Sequence, residues 1–519
     1  MTTDTTHSPQ LLPDDALDTF PEPIRAYVRN LHIIIQRQQE QIQRQQEQIQ
    51  QQQEQIQQQQ ENILLLQARV IELEARLAKN SSNSGKPPSS DGLRKKTKSQ
   101  RKKTNKKQGA QKGHIGKGRS QVQEPDMIVN HMPASCDGCG SKLNEVEGSC
   151  VEKRQVFEIP QPKIEVTEHR VEEKLCPCCG KHNRGAFPED VKGPVQFGAR
   201  VQALVTYFSH QHFIPVDRVC QIFGEIFGIS ISPGTCSNYS EKLFLQLEVF
   251  ERDLITHLLA ARVLHFDETG MRCEKKLHWV HVASSQEATL YTIHTKRGKE
   301  AMDEAGVLSH FKGIGIHDHW FPYFCYEQMQ HGLCNAHHLR ELTFIHEEKK
   351  EEWAKEMKDL LIFANQEVEK HAQQGHLPPE VIPEIEKAYG GIVDEGIAYH
   401  ESLPPLPKGK RGRQKQREGK NLLDRLREKS ECVLRFIHDF SVPFTNNQGE
   451  QDIRMVKLKQ KISGCFRALA GGQVFCRIRS YISTSRKQGW NIWETLSEAI
   501  RGVPRLLSEN NQTEFFAAA

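Results

Sequence analysis

The sequence lacks the features that would direct the chain into or across a membrane. No run of about 18 apolar residues occurs among the 519, so we expect no membrane-spanning segment. The N-terminal residues are polar and acidic and have no apolar core of a signal peptide. Fourteen cysteines are present, but without a route to an oxidising compartment they favour metal binding over disulfides. These absences predict a cytoplasmic protein, and the length predicts three or four domains.

Acidic residues are almost missing from one stretch. Between Lys86 and Arg119 there are thirteen Lys or Arg and a single acid, Asp91. Lysines and arginines that neutralise phosphates release counterions, so this block indicates a polyanion-binding arm, with a solvated linker as the alternative. Large apolar residues are also nearly absent, so we expect the arm to be disordered when free. A second basic island lies at residues 408–417.

A heptad repeat occupies residues 28–80. Its first core position is held by Val28, Ile35, Ile42, Ile49, Ile56, Ile63, Val70 and Leu77. Its second core position is held by Leu31, Gln38, Gln45, Gln52, Gln59, Leu66 and Leu73. β-Branched residues at the first position and leucine at the second favour a parallel two-stranded coiled coil, and therefore at least a homodimer. The four glutamines leave a disordered glutamine-rich tract as the alternative.

Two Cys-x-x-Cys-Gly turns lie within residues 126–190. Paired turns of this kind place four thiolates around a tetrahedral ion, so the pattern predicts a small module with one structural Zn²⁺. The expected ligands are Cys136, Cys139, Cys176 and Cys179, with Cys178 as an alternative to one of them. The alternating residues 151–171 between the turns predict strands.

Residues 191–257 have a helical pattern. A helix from Val216, a glycine-containing turn around Gly228 and a second helix from Thr235 resemble a helix-turn-helix, which would bind DNA. Plain helical packing is nearly as good an interpretation.

From residue 258 the pattern changes to strands. Segments 263–267, 277–283 and 289–295, a short helix, and a strand over 313–318 follow the opening order of an RNase H-like sheet. Residues 346–440 are helical and charged, and a further helix is expected from Asn446 to Lys461. The fold class is therefore multidomain α+β, with an RNase H-like α/β core interrupted by a helical insertion.

Three carboxylates are candidate metal ligands. Asp267 and Asp318 each end an apolar strand, where an unpaired charge would otherwise be costly. Glu450 begins a helix behind Asn446 and Asn447, whose side chains are expected to cap that helix or orient the carboxylate. Each aspartate alone is more often a turn residue, but the two follow strands that are expected to be neighbours. Oxygen donors of this kind suit Mg²⁺.

These features occur in an order that resembles the large transposase of the insertion sequence 66 family of bacterial mobile elements. The resemblance runs from about Leu66 to Trp493. It is carried by the coiled coil, Ser81–Asp91, Gly109–Gly116, the two cysteine turns, Asp267–Thr269, Asp318, Cys334–His337 and Asn446–Glu450. Thr445 and Gln451 depart from the family pattern, as do His319 and Trp320, but the three acids are intact.

The resemblance implies an enzyme. Asp267, Asp318 and Glu450 match the catalytic triad of a DDE-type transposase, which would hold two Mg²⁺ or Mn²⁺ ions, cleave element ends and transfer strands into target DNA. Cys334, His337 and Arg340 are expected to support the site, although a packed strand end explains the first two equally well. A second zinc site at Cys334 and His337 would need two more ligands, which the sequence does not identify. Expected partners are terminal-repeat and target DNA, a second copy of the chain, and small accessory proteins. Association with the bacterial nucleoid would follow from DNA binding.

Two other classes of function remain open. One is a DNA-binding regulator with an inactive RNase H-like fold, and the other is an RNase H-like nuclease without strand transfer. The expected domain boundaries are 1–27, N-terminal segment; 28–80, coiled coil; 81–125, basic linker; 126–190, zinc module; 191–257, helix-turn-helix-like region; 258–345, first part of the core; 346–440, insertion; 441–500, second part of the core; and 501–519, tail.

Overall fold

The computed structural model describes residues 13–17, 19–80, 83–84, 120–406 and 416–508. The basic arm, most of the second basic island and the end of the C-terminal tail, for which the sequence made predictions, lie outside the described residues. The chain divides into two units, residues 1–96 and 97–519. No described helix combines the length and apolar character needed to cross a bilayer.

The N-terminal unit consists mainly of one long helix. A short helix α1 (Asp14–Leu17) precedes α2 (Glu22–Ala78), whose 57 residues span about 85 Å at 1.5 Å per residue. Beyond Ala78 the side-chain amides of Asn80 and Asn83 donate to the Ala78 carbonyl at 3.0 and 3.1 Å. These bonds satisfy a carbonyl that the helix leaves unpaired, so the helix ends where the turn-forming sequence begins.

The heptad positions of α2 form an exposed apolar face. Ile42, Ile49, Ile56 and Ile63 are each 53–54% exposed in the single chain. This is the face that a coiled-coil partner would cover. The helix itself is confirmed, while its pairing with a second copy stays a prediction.

The cysteine-rich segment contains little regular structure. Strands β1 (Glu173–Leu175) and β2 (His182–Arg184) form an antiparallel hairpin around the second cysteine turn. The prediction of strands within 151–171 is wrong, because that segment forms no ladder in the structure. Val151 and Val166 are 96% and 90% exposed, so the alternating pattern has no core to face.

Helices follow up to the central sheet. They are α3 (Ala199–Thr206), a π-helical turn (Tyr207–Gln211), α4 (Val216–Phe227), α5 (Pro233–Gln246) and α6 (Glu248–Ala260). Helix α4 ends at Gly228, whose φ of 67° suits glycine. The Ser232 hydroxyl caps α5 by accepting from Thr235 N–H at 3.1 Å. The predicted order of helix, turn and helix is confirmed.

The central sheet has five strands in the order β5-β4-β3-β6-β7. They are β3 (Val263–Cys273), β4 (Lys276–Ser284), β5 (Thr289–His294), β6 (Ile314–His317) and β7 (Gln330–Leu333). Strands β3, β4 and β5 form an antiparallel meander, whereas β6 and β7 run parallel to β3. Helix α7 (Lys299–Glu304) connects the two parts. The first four strands were predicted from the sequence, and β7 was not.

The remaining helices form the insertion and cover the sheet. They are α8 (Asn335–Lys349), α9 (Glu352–Lys370), α10 (Val381–Ser402), α11 (Glu418–Glu428), α12 (Ser430–His438), α13 (Asn447–Ser463), α14 (Leu469–Lys487) and α15 (Ile492–Ile500). One buried cluster joins Leu243 of α5 and Leu254 of α6 with Leu264 of β3 and Ile478 of α14. The helices before the sheet and those after the insertion therefore share a core with it.

Candidate active site

Two of the predicted acids, Asp267 in β3 and Asp318 just after β6, come from adjacent parallel strands. Strand β3 pairs in parallel with β6, with His265 opposite Ile316. Continuing this register by two residues sets Asp267 beside Asp318, because both chains advance together. Asp318 follows the last residue of β6, as the sequence predicted.

Asp267 does not end its strand, and this expectation was wrong. Strand β3 continues to Cys273 because it remains paired with β4, with Asp267 opposite Val282 and Gly270 opposite Trp279. Gly270 is likewise a paired strand residue. The acid thus lies within a paired strand rather than in a loop.

The surroundings of Asp267 disfavour its charged form. Burial raises the pKa of the Asp267 carboxyl well above its usual range, and the charges of Glu268, Asp318 and Glu450 raise it further. One interaction opposes them, because Glu268 N–H donates to Asp267 Oδ1 at 2.9 Å. Three other acids therefore lie close enough to affect one carboxyl.

Asp318 lies in a turn that orients its side chain. Trp320 N–H donates to Asp318 Oδ1 at 2.9 Å. The neighbouring His317 is fully buried and stacks on Tyr323, with ring centroids 4.5 Å apart. Burial lowers the pKa of His317 to about 3, so the ring beside Asp318 is neutral.

Glu268 directly follows Asp267 in the sequence and is not one of the three predicted metal ligands. Its side chain is 2% exposed, and its Oε1 accepts from Arg297 Nη2 at 2.6 Å. Its Oε2 accepts from the Tyr323 hydroxyl at 2.5 Å. The Arg297 guanidinium lies between the rings of Trp279 and Trp320, at 4.8 and 3.9 Å from their centroids. Both carboxylate oxygens of Glu268 therefore accept hydrogen bonds from protein groups, which makes Glu268 a poorer candidate for binding a metal ion.

Glu450 lies in the first turn of α13, behind Asn446 at the N-cap. Asn446 does not cap the helix with its side chain, contrary to expectation. Its amide instead donates to the Phe266 carbonyl at 2.8 Å, and its Oδ1 lies 2.8 Å from His265 Nδ1. Asn447, expected to act with Asn446, is exposed. Asn446 thus ties the start of α13 to β3, immediately before Asp267.

Cys334 and His337 lie at the junction of β7 and α8. Cys334 is the N-cap residue of α8, and His337 follows in the first turn. Asn446 N–H donates to Cys334 Sγ at 3.1 Å, which connects this junction to the start of α13. The side-chain ligand atoms of Cys334, His337 and Glu450 lie within 4.8 Å of one another. Arg340 is half-buried farther along α8.

The two cysteine turns have matching backbone geometry. Gly140 N–H donates to Cys136 O at 2.9 Å, and Gly180 N–H donates to Cys176 O at 2.9 Å. Both glycines have positive φ, 73° and 65°, which a side chain would strain. Within the described residues, the four expected ligands do not form one group with all sulfurs inside 4.8 Å. Their joint binding of one ion stays a prediction.

Models of known families match three parts of the chain. The model described as "Transposase IS66 family" matches residues 194–474. The chain belongs to this family. A model described as "zinc-finger binding domain of transposase IS66" matches residues 133–180, and a "Family of unknown function (DUF6444)" matches residues 17–120. No curated protein matches the chain.

Membership of the IS66 transposase family indicates an enzyme that acts on DNA and carries a zinc-binding domain. The resemblance to this family that was inferred from the sequence is therefore confirmed. Sequence reasoning missed the buried contacts of Glu268 with Arg297 and Tyr323. The available signal was that two acids, Asp267 and Glu268, are adjacent in the sequence. Arg297 and Tyr323 gave none, because neither lies in a motif with the acids.

Proposed function

We propose that this chain cleaves the ends of a mobile element and transfers them into target DNA, with Asp267, Asp318 and Glu450 as the ligands of two divalent metal ions. The observation that carries the proposal is the convergence of three acids from separate elements, Asp267 in β3, Asp318 after β6 and Glu450 in α13. Asp318 and Glu450, although distant from Asp267 in sequence, both raise its pKa. Acids that converge in this way repel one another, and a divalent cation removes that repulsion.

The sheet supports an RNase H-like core. Three antiparallel strands are followed by two strands parallel to the first, in the order β5-β4-β3-β6-β7. This order begins with the strands that the sequence predicted for an RNase H-like sheet. Asp267 then lies on the central strand and Asp318 after its parallel neighbour. Glu450 comes from a helix that packs on the same two antiparallel strands, β3 and β4.

The donor set fits the proposed ions. Carboxylate oxygens are the ligands that Mg²⁺ and Mn²⁺ favour. Bound there, two such ions would stabilise the attacking and leaving oxygens of phosphodiester exchange. Asn446 holds the helix that carries Glu450 against β3. Glu268, with both oxygens engaged by Arg297 and Tyr323, acts as a positioning residue beside Asp267.

Other parts of the chain would supply DNA binding and assembly. The basic arm and the pair α4–α5 are the proposed DNA contacts, and the apolar face of α2 is the proposed dimer seam. One zinc ion is assigned to Cys136, Cys139, Cys176 and Cys179. A dimer that holds one DNA end in each copy would suit synapsis of the two ends.

The test uses full-length protein, Mg²⁺ and DNA that carries the element's own terminal repeats. Asp267→Asn, Asp318→Asn and Glu450→Gln retain side-chain size but remove ligand charge. Each should abolish cleavage and strand transfer while leaving DNA binding nearly intact. Glu304→Gln, an exposed acid outside the site, is the control and should cleave normally.

The outcomes separate the three candidate functions. Cleavage and joining that depend on all three acids support the transposase mechanism. Cleavage without joining would indicate a nuclease, and specific binding without any cleavage would indicate a regulator. If Glu450→Gln retained wild-type cleavage, the assignment of the triad would be wrong.

A further inference from the structure

We infer that Cys334, His337 and Glu450 form a further metal site, suited to a transition metal such as Zn²⁺, which is separate from the cysteine module and shares Glu450 with the proposed catalytic site. One ligand atom from each residue lies within 4.8 Å of the other two. Among the described residues, this is the one group of three or more potential metal ligands whose ligand atoms lie this close together. Its residues come from two elements, α8 and α13, that are far apart in sequence.

Two polar atoms of this group lack hydrogen-bond partners. His337 Nδ1 and Glu450 Oε1 are both buried and make no hydrogen bond with any described residue. An unpaired buried polar atom costs free energy, and buried polar groups in native proteins are nearly always satisfied. A cation bound by His337, Glu450 and the buried Cys334 thiol would give both of these atoms a partner.

The backbone around the group is fixed. Cys334 is 2% exposed, its N–H donates to the His317 carbonyl at 2.9 Å, and its sulfur accepts from Asn446 N–H at 3.1 Å. His337 N–H donates to the Cys334 carbonyl at 3.1 Å, so the two side chains leave one tight turn. A site with its ligands held in this way loses little conformational entropy on binding an ion.

The chemistry of the donors selects the class of ion. One sulfur, one imidazole nitrogen and one carboxylate oxygen suit Zn²⁺ and related transition metals, whereas Mg²⁺ favours oxygen alone. Three protein ligands leave the fourth tetrahedral position to water or another small ligand. The ion would also fix the carboxylate of Glu450, whose other oxygen, Oε2, lies 3.5 Å from Arg454 Nη2.

The test measures metal content, so it does not depend on the proposed cleavage. Full-length protein purified without chelator should contain about two equivalents of zinc, one for each site. His337→Gln, Glu450→Gln and Cys334→Ala should each lose about one of them. Cys139→Ser, in the cysteine module, should remove the other. Cys476→Ala is the matched control, because Cys476 is also 2% exposed, and it should retain both.

A second measurement covers variants that fold poorly. Replacing zinc by Co²⁺ in the Cys139→Ser protein should give a thiolate-to-cobalt charge-transfer band, and His337→Gln in that background should abolish or shift it. Unchanged zinc content in both His337→Gln and Glu450→Gln would overturn the inference. A loss confined to Cys334→Ala would overturn it as well, because Cys334 also supports Asn446 through a hydrogen bond.

Discussion

Replacing Asn446 by alanine tests how the candidate site is held together. The Asn446 side chain is buried, at 3% exposure. It donates to the Phe266 carbonyl and accepts from the ring of His265, both at 2.8 Å. Burial lowers the pKa of His265, so the ring is neutral and its Nδ1 must carry the hydrogen to pair with the amide oxygen. Alanine leaves both partners buried and unpaired.

The magnitude follows from those two groups. A buried donor or acceptor left without a partner costs about 1–3 kcal/mol, so the two groups together should lower the free energy of unfolding of Asn446→Ala by about 2–6 kcal/mol. The neighbouring Asn447→Ala is the control. Asn447 is the same residue type but exposed, and surface substitutions usually change stability by no more than about 0.5 kcal/mol.

Urea unfolding followed by circular dichroism measures both variants. Assays on the same proteins should show that Asn446→Ala lowers the rate of cleavage more than it lowers the affinity for DNA, because Glu450 lies one turn farther along α13. Equal unfolding free energies for Asn446→Ala and Asn447→Ala would refute the reasoning. It would mean that water replaces both hydrogen bonds at no cost.

Three further predictions concern acid stability, assembly and DNA affinity. Burial lowers the pKa of His210 and of His281 to about 4 each, so their neutral rings contribute stability that is complete above the usual pKa of about 6.5 and lost as the pH falls towards 4. The urea midpoint should therefore be lower at about pH 5 than at about pH 7.5, and equal midpoints would contradict this. Deleting residues 28–79 should lower the mass in sedimentation without unfolding the second unit; full-length protein that is already monomeric at micromolar concentration would argue against the coiled coil. Deleting residues 94–107, which contain nine Lys or Arg, should flatten the dependence of log affinity on log salt, and an unchanged slope would identify the arm as a linker.

Features that depend on neighbours in sequence were predictable. The period of seven gave the helix α2, and the run of Asn, Ser and Gly after it gave its end. The alternating apolar segments gave β3, β4 and β5 in order. The same rule failed at 151–171, because alternation specifies a strand only when a partner strand and a core are available. The four residues of β7 were too few to give any pattern.

The sequence by itself determined which residues could do chemistry, since the acids, the cysteine turns and the Cys-x-x-His segment are all visible in it. The tertiary structure decided which of them meet. Asp267 faces Asp318 because of the register between β3 and β6, and Glu450 joins them because Asn446 bonds to β3 rather than capping its own helix. Glu450 also reaches Cys334 and His337. Such contacts join segments that are far apart in the sequence. Sheet register and packing select them, and no local pattern records them.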